Sequence, residues 1–448
     1  MPQVKLDYMM GLKLRMFPTH HQAMIMWKNI NASRFVYNQL LANSYTDSAI
    51  VRNKLDKKYP IPAEYWKRSS RTQKVLKAST VRPTKLARIT TKRYPWLADE
   101  DLDSDMISNT LLHYNAAWKM YHKVHNVGVP KFKRKSQSVQ SYSTSNHYNA
   151  NAVKKNGGVP SLYNGSIKFV DCNHITLPKL GKVKVKLHRA LPQNRLIRIA
   201  TVTIKHVASD EWFVSLLLKS DEPFNAKAPK TNKQIGIDLN TENFLTDSDG
   251  KAVANPRYYR TIKKQLAKQQ RILARRLRRA KKEHRNLRNC KNYQKQRLVV
   301  ARLHQKVSNQ RNNFLQQLST TLIKNHDLVV AKCLKSKNLL KNHALAMSIA
   351  DVGWRSFLTM LEYKANKYGH VFVEVNPAYT TQTCSHCGFR MGTQNTNKLT
   401  LSDRTWTCPC CHTFHIRDHN AAKNILHKGK IELRRPLTEN SPVFGIPR

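Results

Sequence analysis

The pattern of apolar and polar positions changes character three times along the chain. GLKLRMFP near the start alternates like a strand, and Thr19 after it is suited to cap a helix. Met24, Trp27, Ile30, Phe35 and Leu40 then recur at helical spacing. A second such run, SDMISNTLLHYNAAWKMYHKV, sets Leu111, Tyr114, Trp118 and Tyr121 on the same period, so residues 19–127 are expected to be mostly helical. From Gly128 the period becomes two. KVKVKL alternates strictly, and TVTIKHVASDEWFVSLLLKS reads as two strands joined by an Ala-Ser-Asp turn, which predicts a β domain with one basic face.

The third texture follows the Pro- and Lys-rich SDEPFNAKAPKTNKQ, expected to be a linker. QIGIDLN is apolar at Ile235, Ile237 and Leu239, and the Asp-Gly of TENFLTDSDG marks a tight turn. Two long helical runs come next, then the short strands LVVAKCL and HVFVEVNP. A strand pair, helices and further strands suit an α/β layer of the RNase H type. The stretch past Gly429, with Pro436, Pro442 and Pro447, is expected to be loose, and no internal repeat is visible. LVVAKCL poses a question, because its Lys332 lies in a strand that otherwise reads as buried.

Charge names the class of partner. Lys and Arg number 79 against 27 Asp and Glu, a formal net charge of +52 over 448 residues, and such an excess opposes compaction unless a polyanion neutralises it. At one phosphate per about 1.7 Å of duplex, it would match on the order of 25 base pairs. The partner is expected to be nucleic acid. A membrane is not, since no apolar run approaches the roughly 20 residues of a spanning helix. The start lacks the basic-then-apolar layout of a signal peptide, so a cytosolic setting is expected. Of the 8 Cys, Cys172, Cys290 and Cys333 are scattered, which argues against a disulfide framework.

Two CxxC knuckles, CSHC and CPCC, have the separation of a structural zinc ribbon. This points to zinc on Cys384, Cys387, Cys408 and Cys411, with His386 and His412 as bystanders and Cys410 leaving the register of the second knuckle open. Asp418, in IRDHNAAKNIL, taken alone reads as a helix cap, and Asp238 taken alone as a strand-end residue. Together, an Asp on the first strand of an RNase H-like sheet and an Asp opening a late helix after a zinc ribbon form the layout of a two-metal nuclease.

GIDLN, LKSKNLLKNHALAMSIADVGWRSFLTMLEYKA, VEVNPAYTTQTCSHCG and RDHNAAKNIL resemble the RuvC nuclease half of the transposon-encoded TnpB proteins, relatives of type V CRISPR effectors. GLKLRMFP, ASRFVYNQLL and VPKFKRKSQSVQSYST resemble the N-terminal half of that family. The resemblance implies a multidomain α/β protein: a β-barrel-like wedge domain (strand 1–18 with 128–222), a helical recognition domain (19–127), a linker (223–232), an RNase H-like RuvC domain (233–428) with a zinc ribbon inserted at about 381–412, and a flexible tail (429–448). It also implies a guide RNA whose pairing reads double-stranded target DNA beside a short adjacent motif, in a prokaryotic cytoplasm and on the nucleoid when bound to target.

In that resemblance Asp238 matches the first catalytic carboxylate and Asp418 the third, while the second, a Glu, falls on Lys332. The Gly of GIDxG is Asn240, and the first Asp of the usual DRD is Ile416. Magnesium needs oxygen ligands, so an ammonium in place of a carboxylate leaves magnesium weak or absent and offers Asp238 and Asp418 an ion-pair partner instead. The competing expectations are that Lys332 snorkels to the strand end, or that Glu374 or Glu362 replaces the lost anion. Arg275, Arg276, Arg278 and Arg279, with Lys281 and Lys282, are expected to meet RNA or heteroduplex backbone. Lys131, Lys133, Arg134, Lys135, Gln140 and Tyr142 mix charge with base-reading groups, and the resemblance assigns them to DNA near the adjacent motif. Three functions stay open: a nuclease-inactive RNA-guided DNA-binding protein that acts by occupying its target, for instance as a transcriptional repressor; an active RNA-guided endonuclease with a repaired site; and a generic basic RNA-binding scaffold.

Overall fold

The computed structural model describes residues 6–45, 92, 94–124, 127–148, 160–188, 190–191, 196–224, 226–240, 242–333, 353–400 and 402–434. The chain forms two compact units, Met1–Phe224 and Asn225–Arg448. The expected helical content of 46–91 and the motif residues 334–352 lie outside the described residues.

The first unit is one antiparallel sheet with helices on its apolar face. Strand β1 (Tyr8–Phe17) leads into helix α1 (His20–Tyr45); a 3-10 turn (Pro95–Ala98) and helix α2 (Ser104–Lys123) follow. The strands are β2 (Val139–Ser145), β3 (Lys168–Asp171), β4 (His174–Leu177), β5 (Gly181–Lys186), β6 (Ile197–Val207) and β7 (Glu211–Ser220), in the order β2-β6-β7-β1-β5-β4-β3. Alternation along β1 buries Leu12, Leu14 and Met16, and β7 buries Trp212, Val214, Leu216 and Leu218, against Met26, Ile30 and Leu41 of α1 and Met106, Tyr114 and Trp118 of α2. The helix α1 begins with a reciprocal cap: Thr19 Oγ1 accepts from Gln22 N, and Gln22 Oε1 accepts from Thr19 N. Among the described residues no ladder joins the outer strands β2 and β3. They are stitched at one point, where Ser166 N donates to His147 O and Ile167 N to Asn146 Oδ1. The barrel-like expectation therefore reduces to an open seven-stranded sheet with its edges tied at that seam.

The second unit carries the mixed sheet. Its strands β8 (Gln234–Leu239), β9 (Asn243–Asp247) and β10 (Ala252–Ala254) form a meander, helices α3 (Tyr258–Lys282) and α4 (Lys291–Asn325) follow, and β11 (Leu328–Lys332), α5 (Trp354–Tyr368) and β12 (Val371–Val375) complete the layer. The order is β10-β9-β8-β11-β12, with β9 antiparallel to β8, and β8, β11 and β12 mutually parallel. The unit is thus a mixed α/β layer, in keeping with the strand pair, helices and further strands read from the sequence. The hairpin β13 (Thr405–Thr407) and β14 (Phe414–Ile416) leads directly into α6 (Arg417–Arg434).

Helices cover both faces, which is why β8 and β11 are buried almost throughout. Ile235, Ile237, Val329, Ala331 and Phe372 face α4 and α5, while Leu328, Val330, Val373 and Val375 pack with Ile425 of α6. Two glycines let α6 lie close to the sheet. A Cβ on Gly236 would come 2.3 Å from Ala422 O, and one on Gly429 would meet Val330 at 2.4 Å. The helix runs on to Arg434, so the expected loose tail is helical for its first residues, and 435–448 lie outside the described residues. Within the expected linker, Ala228 N donates to Tyr368 O, while Thr231 N and Asn232 N both donate to Asp327 at 2.8 Å. Its C-terminal half is thus fastened to the second unit.

Candidate functional site

Asp238 is the fifth residue of β8 and is 2% exposed. The register sets Ala331 of β11 opposite Ile237, so the next residues, Lys332 and Asp238, lie side by side on the face that carries α6. Lys332 Nζ stands 2.7 Å from Asp238 Oδ1. The distance suits a hydrogen bond and the alignment does not, so the contact is an ion pair between poorly hydrated partners. Burial pushes the Asp238 carboxyl up and the Lys332 charge opposes that; the Asp418 carboxylate adds to the rise, and the Arg417 guanidinium counters it. Lys332 does not snorkel.

Asp418 sits in the first turn of α6, where the helix dipole favours a carboxylate. Its oxygen Oδ2 accepts from Asn240 Nδ2 at 3.2 Å, so the residue that holds Asp418 is an amide and not the lysine. Glu374 and Glu362 offer no replacement anion. Glu374 is opposite Ala331 in the register and so points with Ile237 to the other face, where it pairs with Arg355; Glu362 lies on α5, which packs on that same opposite face. Magnesium does not fit these residues as they stand, because an ammonium stands beside Asp238 Oδ1 where a third oxygen ligand would be needed.

The four cysteines fit zinc. Cys384, Cys387, Cys408 and Cys411 present sulfurs within 4.8 Å of one another. The separations Cys384–Cys411 and Cys387–Cys408 are each 3.6 Å, near the edge of about 3.8 Å that a tetrahedron with Zn–S of about 2.3 Å requires. Backbone N–H groups of His386 and Cys387 aim at Cys384 Sγ, and those of Cys410 and Cys411 at Cys408 Sγ. Burial pushes the Cys384 thiol up to about 12, so its thiolate needs a cation beside it. Cys411 belongs to the cluster and exposed Cys410 does not; His386 and His412 are exposed bystanders. His415, which sequence reasoning missed, stands with Nε2 3.0 Å from Cys384 Sγ and its ring 4.6 Å from Trp406.

The ribbon is latched to α6. Asn420 Oδ1 accepts from Ser385 N at 2.8 Å and its Nδ2 donates to Thr383 O at 2.7 Å, while Asn424 Nδ2 donates to Thr380 O and Thr383 O. One helical turn separates the two asparagines, so both face the ribbon. The cysteine knuckles thereby fix where α6 begins, and with it Asp418.

Three family models match: "Cas12f1-like, TNB domain" over residues 354–425, "Probable transposase" over 215–343, and "Helix-turn-helix domain" over 9–45. A "Putative RNA-guided DNA endonuclease" of Streptomyces pristinaespiralis is 35% identical over 257 residues, 57% of this chain and 59% of that protein. A "Putative RNA-guided DNA endonuclease InsQ" of Escherichia coli (strain K12) is 26% identical over 437 residues, 94% of this chain and 92% of that protein. The chain is thus similar to the TnpB family and to proteins named as RNA-guided DNA endonucleases. It spans about three fifths of the Streptomyces relative's length. A cryo-EM structure of a Cas12f1-sgRNA-target DNA complex aligns over 94% of this chain and all of its own, at TM-score 0.32 and 13% identity. Despite the description of the third family model, the described residues 9–45 form one strand and one long helix.

Of the departures from the TnpB pattern, Lys332 and Asn240 meet the two carboxylates, whereas Ile416 is 55% exposed on β14. The residues expected to bind nucleic acid divide. Tyr142 is 3% exposed within the core and Gln140 7% exposed, its amide spent on Arg134 O, Lys135 O and Gln137 O, so neither presents a base-reading edge. Lys133 is half-buried with Nζ over the Tyr37 ring; Lys131, Arg134 and Lys135 are exposed. The sequence placed Tyr142 and Gln140 in the β region but could not say which face was covered. On α3, Arg275, Arg278 and Arg279 are exposed, and Arg279 pairs with Glu283. Arg276 instead donates to Asn292 O and Gln296 Oε1, bracing α3 against α4. Among the described residues no helix is long and apolar enough to cross a membrane.

Proposed function

We propose that this TnpB-like protein is an RNA-guided, sequence-specific DNA-binding protein whose RuvC-like site does not cut, so that it acts by occupying its target, for instance by blocking transcription from a promoter. The observation that carries the reading is the 2.7 Å ion pair of Lys332 with Asp238, at the position where the family places a metal-binding Glu. An ammonium there supplies the positive charge a divalent ion would have brought, but coordinates no phosphate oxygen and activates no water.

Guide RNA and double-stranded target DNA with a short adjacent motif are the partners in this reading. It is supported by the likeness to the TnpB family, by relatives whose names refer to RNA-guided DNA endonucleases, and by the net charge of +52. In the same reading, 1–18 and 128–222 form the wedge, 19–127 the recognition domain and 233–428 the RuvC domain with its ribbon, and the complex works in the cytoplasm on the nucleoid. Asp238 and Asp418 are remnant metal ligands, and Lys131, Arg134, Lys135, Arg275, Arg278 and Arg279 contact phosphates.

The test is a cleavage and binding assay on protein reconstituted with the RNA that copurifies with it. The guided complex is expected to bind matched DNA and leave it uncut in magnesium and in manganese. Protein without RNA is expected to bind unselectively and to lose that binding steeply as salt rises. Cutting by the unmodified complex, abolished in Asp238→Ala, would establish the second reading, an active endonuclease, which the relatives' names favour. Sequence-specific binding that survives removal of all RNA would defeat both.

A further inference from the structure

We infer that Asn240 is a second lock on the RuvC-like site, acting on Asp418 as Lys332 acts on Asp238, so that returning the missing carboxylate alone does not rebuild a metal site. The inference rests on reading Asp238 and Asp418 as remnant metal ligands.

Geometry fixes which way the Asn240 amide faces. Its Oδ1 accepts from Asn243 N at 2.8 Å, a backbone donor that only the oxygen can satisfy. The Nδ2 group is thereby turned the other way, donating to Asp418 Oδ2 at 3.2 Å and to Thr246 Oγ1 at 3.3 Å. The one atom of this side chain that could ligate a hard cation is engaged by the backbone, and the atom that faces the site is a donor. A glycine here, as in the family pattern, would present no such group. Asp238 thus meets an ammonium at Oδ1 and Asp418 an amide N–H at Oδ2, so each carboxylate has one oxygen engaged by the protein itself.

The third departure differs in kind. Ile416 is exposed on the β13–β14 hairpin, while its neighbour Arg417 is buried, with its guanidinium on Thr400 O. Ile416 removes a potential ligand but occupies neither carboxylate. The structure therefore ranks the three changes: Lys332 and Asn240 block, and Ile416 only subtracts.

Manganese binding to zinc-loaded, full-length protein, followed by electron paramagnetic resonance, tests this in four chains: unmodified, Lys332→Glu, Asn240→Gly and the double variant. The expected result is no site in the unmodified chain or in Asn240→Gly, a weak site in Lys332→Glu, and tighter binding in the double variant than in Lys332→Glu, opposite in sign to the loss seen when a residue that merely supports a metal ligand is removed. Adding Asp418→Asn to the double variant should remove the gain and so assign it to this site. Asn240→Ala, which removes the amide without adding backbone freedom, should reproduce Asn240→Gly in each background. Equal affinity in Lys332→Glu and the double variant, or no gain in either, would overturn the inference. Guide-dependent DNA binding, read on the same preparations, separates the two claims: its absence from the unmodified chain would sink the functional reading, while the manganese titration would still decide the role of Asn240.

Discussion

The cysteine cluster and the carboxylate pair are two ion sites of one unit, built on opposite ends of the same connection, since the ribbon runs directly into α6. The first keeps four soft ligands at tetrahedral spacing beside a small apolar cluster around Trp406, and its strands β13 and β14 have three residues each. The second has one oxygen of each carboxylate engaged, by an ammonium and by an amide. The difference separates what each ion would do for the molecule. A ribbon whose apolar cluster is as small as Trp406 with Phe389, Met391 and Leu399 around the cysteines is expected to depend on its metal to fold. A sheet buried on both faces does not, so a cation site on it can be filled by protein groups without loss of the fold, provided each buried charge keeps a partner.

The sharpest way to break this comparison is to remove both ions' ligands in turn. Cys384→Ser with Cys387→Ser should abolish zinc, about one ion per chain by elemental analysis, and remove a binding term of about 10–16 kcal/mol that the ribbon's fold depends on. Through Asn420 and Asn424 the damage should reach the first turn of α6, read as faster hydrogen exchange there. A zinc-free preparation with an intact ribbon would end the zinc assignment.

Next comes Lys332→Ala, which leaves Asp238 buried and unpaired and should cost about 3–5 kcal/mol in denaturant unfolding. Replacing both partners, Lys332→Met with Asp238→Leu, should cost much less, because no orphaned charge remains. Equal losses in the two variants would mean that packing, not charge compensation, is the role of the pair.

A smaller effect is expected at the latch between the two sites. Asn420 is 2% exposed, and Asn420→Ala strands Ser385 N, while Thr383 O keeps its donor from Asn424, at about 1–3 kcal/mol. Zinc content should be unchanged and hydrogen exchange at Asp418 faster. An unchanged exchange rate would show that the ribbon does not position α6.

A last effect, confined to alkaline pH, concerns a second buried lysine. Lys364 donates to Gln316 O, Ser319 Oγ and Thr320 Oγ1, all neutral, and burial pushes its pKa down to about 8 from 10.5. Below about pH 8 the charged form is disfavoured in the folded state; between about 8 and 10.5 the unfolded chain binds more protons, so stability from this group rises with pH. Relative to Lys364→Met, the unmodified protein should therefore gain stability across that window. A flat difference would mean that its three acceptors fully offset the burial of the charge.

What could be read from the chain alone was whatever depends on neighbours in sequence. Two CxxC turns bring their own thiols together, a period of two or 3.6 sets which residues share a face, and +52 charges act on a partner whatever the fold. Lys332 could be questioned from sequence because a charge in an apolar run is locally anomalous. Its partner could not be assigned, since the register of β11 on β8, and the parity that sends Glu374 to the other face, depend on how separate strands align. Asn240 meets Asp418 across 178 positions, and no local spacing encodes that hydrogen bond. Tyr142 and Gln140 read as reachable polar groups until the helices α1 and α2 covered their face of the sheet. Burial and long-range pairing are properties of packed elements, and only the tertiary structure could decide them.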